Sequence, residues 1–137
     1  IARRQRQMCI RDSVWINTKT DQLILVDYKA TSKKGEVSLD APWQISYKRQ
    51  VEIYQWLLKK NGFDVQDTAY FVYCNAIRKN IPFENKLNFK VKILGYKGDD
   101  SWIPSTINKM KSCLDSDEAP SSSKNCEYCR YVIKANL

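Results

Sequence analysis

Residues 23–31 read LILVDYKAT. Leu23, Ile24, Leu25 and Val26 lead directly into Asp27, Tyr28 and Lys29. A continuous apolar run, preceded by the turn-prone TKTD, predicts a mostly buried strand over 22–29. In a strand, positions i and i+2 share a face, so Asp27 and Lys29 stand together at its end. Two explanations compete. One is an ion pair closing off a strand; the other is a metal-binding carboxylate with a cation beside it.

Outward from this strand, SVWIN at 13–17 is β-prone and pairs with it as a hairpin. ATSKKGEVSLDAP at 30–42 is a polar loop of unusual length, and such loops often serve function. WQISYKRQVEIYQWLLKKNG at 43–62 is the clearest helix. Tyr47, Val51, Tyr54 and Leu58 recur at i, i+4, i+7 and i+11, and Leu57 widens the stripe. Lys59 and Lys60 suit the C-terminal dipole, and NG stops the helix. Trp43 and Trp56 read as packing residues. TAYFVYCNA at 68–76 is a second buried strand, and LNFKVKILGY at 87–96 a half-exposed one, alternating Leu87, Phe89, Val91 and Ile93 with polar partners. SWIPSTINKMKSCL at 101–114 is a short helix with Pro104 in its first turn. The fold class is α/β, a mixed sheet flanked by helices. The organisation is an arm at 1–13, a domain at 14–114, a linker at 115–125 and a cysteine-containing tail at 126–137.

The chain has 137 residues, 43% hydrophobic and 28% charged, and a net charge of +8. That length supports one domain with a real core. No run approaches a membrane span, and no signal peptide is visible. Five cysteines without a regular framework fit a reducing cytoplasm better than a secreted scaffold. There is no His, which excludes His general bases, His-ligated zinc and His-dependent triads. Hydrolytic chemistry would rest on carboxylates, Lys, Tyr or thiols.

The basic charge invites a nucleic-acid partner, but part of it lies in RRQRQMCIRDS at 3–13. That stretch matches the translation of a transposase-type sequencing adapter, so the natural fragment is expected to begin at Ser13 or Val14, with its N-terminal part missing. Arg3, Arg4, Arg6 and Arg11 against Asp12 account for +3 of the +8 and leave +5.

Asp27-x-Lys29 alone is a short motif, and a surface ion pair is its plain reading. The helix adds Gln50 and Tyr54, spaced i, i+4 on one face. Taken together, DYKAT and YKRQVEIYQWL resemble the PD-(D/E)xK nuclease superfamily, nearest to the RecB-type branch that includes the CRISPR-adaptation nucleases. The resemblance spans roughly residues 12–75, with a weaker echo in the tail. It implies a restriction-endonuclease-like core, incomplete at the N-terminus, and hydrolysis of DNA phosphodiester bonds with Mg or Mn. It also implies roles: Asp27 and the Tyr28 carbonyl as metal ligands, Lys29 positioning or polarising the attacking water, Gln50 contacting the site or DNA backbone, and Tyr54 supporting it. The chemistry is coherent, since magnesium favours hard oxygen ligands and a nearby Lys offsets developing negative charge. The family's acid one strand earlier corresponds to Asp12, which lies inside the adapter-like stretch and reads as a chance mimic. The plain alternatives are a solvated helix position for Gln50 and a core aromatic for Tyr54.

Lys33 and Lys34 in the loop, with Lys48 and Arg49 on the helix, are candidates to meet DNA phosphates; a solvated face is the equal alternative. Cys126 and Cys129 form a Cys-x-x-Cys, which ligates zinc or an iron–sulfur cluster when two further ligands exist. RecB-type nucleases place a third Cys near position 135, where this chain has Ala135. The pair therefore reads as a degenerate or truncated cluster site, with an isolated surface pair as the plain alternative; a full-length parent could hold a cluster, and this chain alone is not expected to. The rival functions are a DNA-binding domain of the same fold without hydrolysis, and a structural metal-binding module built on the tail.

Overall fold

A computed structural model describes residues 13–77, 85–118, 120–123 and 125–135. Residues 1–12, including Asp12 and all but the last position of the predicted arm, lie outside them. The chain divides into two units between Ser101 and Trp102.

The first unit holds a four-stranded sheet in the order β1-β2-β3-β4, with β1 Ser13–Ile16, β2 Leu23–Thr31, β3 Thr68–Ala76 and β4 Phe89–Lys97. The hairpin between β1 and β2 turns at Asn17, whose carbonyl accepts from the Asp21 amide at 2.8 Å. β2 and β3 are parallel, joined by a crossover through α1, Ile45–Lys60, which follows a 3-10 turn at Pro42–Gln44. A parallel pair needs such a crossover because its second strand must start at the far end of the first. β4 returns antiparallel to β3. The sheet is therefore mixed, as its sequence pattern predicts.

α1 packs on one face of the sheet. Leu25, Val51, Ala69, Phe71 and Tyr73 form the buried core, with Tyr47, Tyr54 and Leu58 of the helix stripe against it. Leu25 and Phe71 are almost wholly buried, each contributing roughly 1.5–3 kcal/mol. Leu57 is a correction: at 44% exposed it faces outward, because the stripe through Tyr47, Val51, Tyr54 and Leu58 already covers the sheet. Trp43 is 61% exposed and packs edge-on against the Tyr47 ring. The loop after β2 also departs from its polar reading. Val37 is buried in the core and Leu39 packs on it, so the loop folds back over the sheet.

On β4, the register Phe71↔Leu94 and Ala69↔Tyr96 turns Leu94 and Tyr96 toward α1. Phe89, Val91 and Ile93 are thereby the exposed set. Alternation identified the strand but could not say which face a helix covers, since both faces carry apolar residues.

A polar latch fixes the C-terminal half of α1. The Tyr96 hydroxyl donates to buried Glu52 at 2.6 Å, and Gln55 donates to the carbonyls of Gln66 and Asp67 at 2.9 and 3.0 Å. A Cβ on Gly98 would lie 2.7 Å from Gln55 Oε1; that amide is already committed, so the close approach requires glycine. With its far end held at the start of β3, the helix places its first turns, carrying Tyr47 and Gln50, at the carboxyl end of β2.

In the second unit, α2 spans Trp102–Leu114 and begins just after Ser101, with Pro104 in its first turn. α3, Glu127–Lys134, makes the tail helical, with Cys126 as its N-cap. No described helix is long and apolar enough to cross a membrane.

Candidate active site

Asp27 and Lys29 project from the α1 face of β2, and Lys29 Nζ lies 2.7 Å from Asp27 Oδ2. Their side chains are only 10% and 18% exposed. This is not the solvated pair that commonly ends a strand, which contributes little. Two charges held this far from water carry a desolvation cost that a purely structural strand end has no need of. Tyr28 points to the opposite face and is 47% exposed. Only its main-chain carbonyl can join the Asp27 side.

α1 closes the site from above. The Lys29 ammonium sits 4.1 Å from the centre of the Tyr47 ring. Gln50 follows Tyr47 by one helical turn and donates to the Tyr54 hydroxyl at 3.3 Å. The sequence-derived set thus forms two contacts, Asp27 with Lys29 and Gln50 with Tyr54, linked along the helix by Tyr47.

Three participants escaped the sequence reading as site residues: Tyr47, Tyr73 and Gln44. Tyr73 is the register partner of Lys29 on β3. Its buried hydroxyl accepts from Gln44 Nε2 at 3.1 Å. Burial pushes the Tyr73 pKa up, Gln44 pulls it down, and the nearby charges of Lys29 and Asp27 act in opposite directions. Tyr47 and Tyr73 read as core aromatics, and only the parallel register brings them to Lys29. A Gln just before a helix stripe carries no such signal.

The basic candidates separate. Lys33 and Lys34 are exposed in the loop beyond β2, which is held down by Asn75 donating to the Lys33 carbonyl at 3.1 Å. Glu36 in the same loop bridges Lys90 at 2.7 Å and Lys92 at 3.1 Å; hydrogen bonds from these lysines hold its carboxyl below the usual glutamate range. Arg49 is exposed, whereas Lys48 reaches over the Tyr96 ring at 5.4 Å. Cys126 and Cys129 stand together at the start of α3, where the Cys129 amide donates to Cys126 Sγ at 3.4 Å and lowers the Cys126 pKa.

The sequence model of the PD-(D/E)XK nuclease superfamily matches residues 12–133. This chain belongs to that superfamily. No curated protein and no solved structure matches it. The mixed four-stranded sheet and its helices are those of a restriction-endonuclease-like fold. Superfamily members usually use a divalent metal, and the residues present can be tested against one. Magnesium typically takes one or two carboxylates and keeps several waters. The Asp27 carboxylate and the Tyr28 carbonyl supply hard oxygens of that kind. Among the described residues no three Asp, Glu, Cys or His side chains converge, so the donor set fits a partly hydrated hard cation and not a closed protein cage.

Proposed function

We propose that the chain is a Mg- or Mn-dependent nuclease domain of the RecB-type branch, hydrolysing DNA phosphodiester bonds at Asp27 and Lys29. The observation that carries this reading is the mostly buried Asp27–Lys29 pair at the carboxyl end of β2, roofed by the helix that bears Gln50 and Tyr54. Asp27 and the Tyr28 carbonyl would hold the cation. When bound, it would neutralise phosphate charge and acidify water.

The chain's own residues supply the rest. Lys29 donates a hydrogen bond that orients the attacking water and offers positive charge where the phosphate oxygens gain negative charge. Gln50 presents its amide to the scissile phosphate or its neighbour, and Tyr54 holds that amide in place. Lys33, Lys34 and Arg49 bind flanking phosphates and fix register without reading sequence. A reducing cytoplasm suits the four described free cysteines.

A second reading, DNA binding without hydrolysis, is favoured by one observation: among the described residues no three Asp, Glu, Cys or His side chains converge as a metal site. Incubation of plasmid and single-stranded DNA with Mg or Mn, against an EDTA control and Asp27→Asn, separates the two. Metal-dependent cleavage lost in Asp27→Asn supports the nuclease. Binding without cleavage by the unmodified chain supports the alternative.

A further inference from the structure

Lys29 ends a four-carbon stem with many rotamers, yet its ammonium occupies one place. Asp27 holds one side at 2.7 Å, and the face of Tyr47 lies on another at 4.1 Å. Tyr47 is itself fixed: Trp43 packs edge-on against it, with ring centres 5.4 Å apart at 88°. Behind Lys29 stands Tyr73, its register partner, whose hydroxyl is bonded to Gln44.

We propose that Tyr47 is the positioning residue for Lys29, its ring face holding the ammonium in reach of the scissile phosphate independently of Asp27. This rests on the nuclease reading given above. The independence matters because Asp27 is asked to do two things. A divalent cation taken up on Asp27 draws on the same carboxylate that anchors Lys29, and it repels the ammonium. The attraction between a cation and an aromatic face needs no carboxylate, so the ring keeps Lys29 in place when the ion pair is weakened. Tyr47 acts through its π-face, which Phe shares and Leu lacks. Its hydroxyl and its bulk are not the operative features.

The test compares the full chain with Tyr47→Phe and Tyr47→Leu in two measurements. Proton NMR without metal reads the Lys29 ε-methylene, which a ring held over the ammonium shifts upfield. The shift is expected in the parent chain and in Tyr47→Phe and absent in Tyr47→Leu, with the amides of β2 and β3 unmoved. Steady-state cleavage should show kcat roughly tenfold lower in Tyr47→Leu, the size of one partly desolvated contact of this kind, with KM for DNA unchanged and most of the rate restored in Tyr47→Phe. The proposal is overturned if Tyr47→Leu keeps the parent kcat, if Tyr47→Phe falls as far as Tyr47→Leu, or if the loss comes with displaced amides across the sheet. If the parent chain does not cleave DNA at all, the nuclease reading falls and the positioning role falls with it.

Discussion

Gln44 donates from one amide nitrogen to both the Tyr73 hydroxyl, at 3.1 Å, and the Ser38 carbonyl, at 2.6 Å. Its oxygen accepts from the Ala41 amide at 2.9 Å. One side chain thus ties the loop after β2, the entry to α1 and the strand beside Lys29. It is 4% exposed, so each of these bonds forms away from competing water. The arrangement explains how a long loop can deliver a helix to a fixed place over the Asp27–Lys29 pair.

Removing that amide should be costly. Gln44→Ala leaves Tyr73 and the Ser38 carbonyl without this donor, and an orphaned buried polar group costs about 1–3 kcal/mol. Urea unfolding should show a loss of that size. A change within the surface range of about 0.5 kcal/mol would mean that the loop is held without Gln44.

Tyr96 gives a prediction in alkali. Burial first, and the adjacent Glu52 carboxylate second, push its pKa up to about 12 from a usual value of 10.0. The folded chain therefore keeps a proton that the unfolded chain has already lost between these values. Stability from this group is complete below pH 10.0, declines as pH rises, and is gone above about 12. Tyrosinate absorbance should show a late component near 12 that Tyr96→Phe removes. A parent chain whose tyrosines all ionise near 10.0 would contradict the Tyr96–Glu52 bond.

Lys33 and Lys34 test the DNA interface. Replacing both by Ala should weaken binding about equally on unrelated sequences and lower the slope of log K against log salt by roughly one per lost phosphate contact. Fluorescence anisotropy with two unrelated duplexes measures this. An unchanged slope would return both lysines to the solvated face.

The tail should not hold an iron–sulfur cluster by itself. Cys126 and Cys129 provide two thiolates, Ala135 stands where a third is expected, and no third Asp, Glu, Cys or His converges among the described residues. Anaerobically purified chain should be colourless. A brown preparation with stoichiometric iron and sulfide would refute this.

Much of the frame was legible in the sequence, because β2 and β3 each carry an apolar run and α1 carries one strong period with clear stop signals. Asp27 and Lys29 share a face by strand geometry alone, and Gln50 and Tyr54 by helical spacing. What stayed hidden depends on tertiary register. Tyr73 meets Lys29 only because β2 and β3 pair in parallel at that offset. Tyr47 looked like one more core residue of the helix stripe, and nothing local marks its face as the place where Lys29 ends. The exposed face of β4 was hidden for the same reason, since Ile93 and Leu94 are alike to any local rule and differ only in which side α1 covers.

The central claim is that Lys29 does chemistry and is not merely the partner of Asp27. Lys29→Ala removes the ion-pair partner of a carboxylate only 10% exposed, so it costs stability, and circular dichroism at the assay temperature checks that the variant is folded. The decisive measurement is single-turnover cleavage of end-labelled DNA in Mg by the parent chain and by Lys29→Ala, with DNA affinity determined on the same samples. The account predicts cleavage by the parent, none by Lys29→Ala, and similar affinity in both. Cleavage by Lys29→Ala at the parent rate would contradict it.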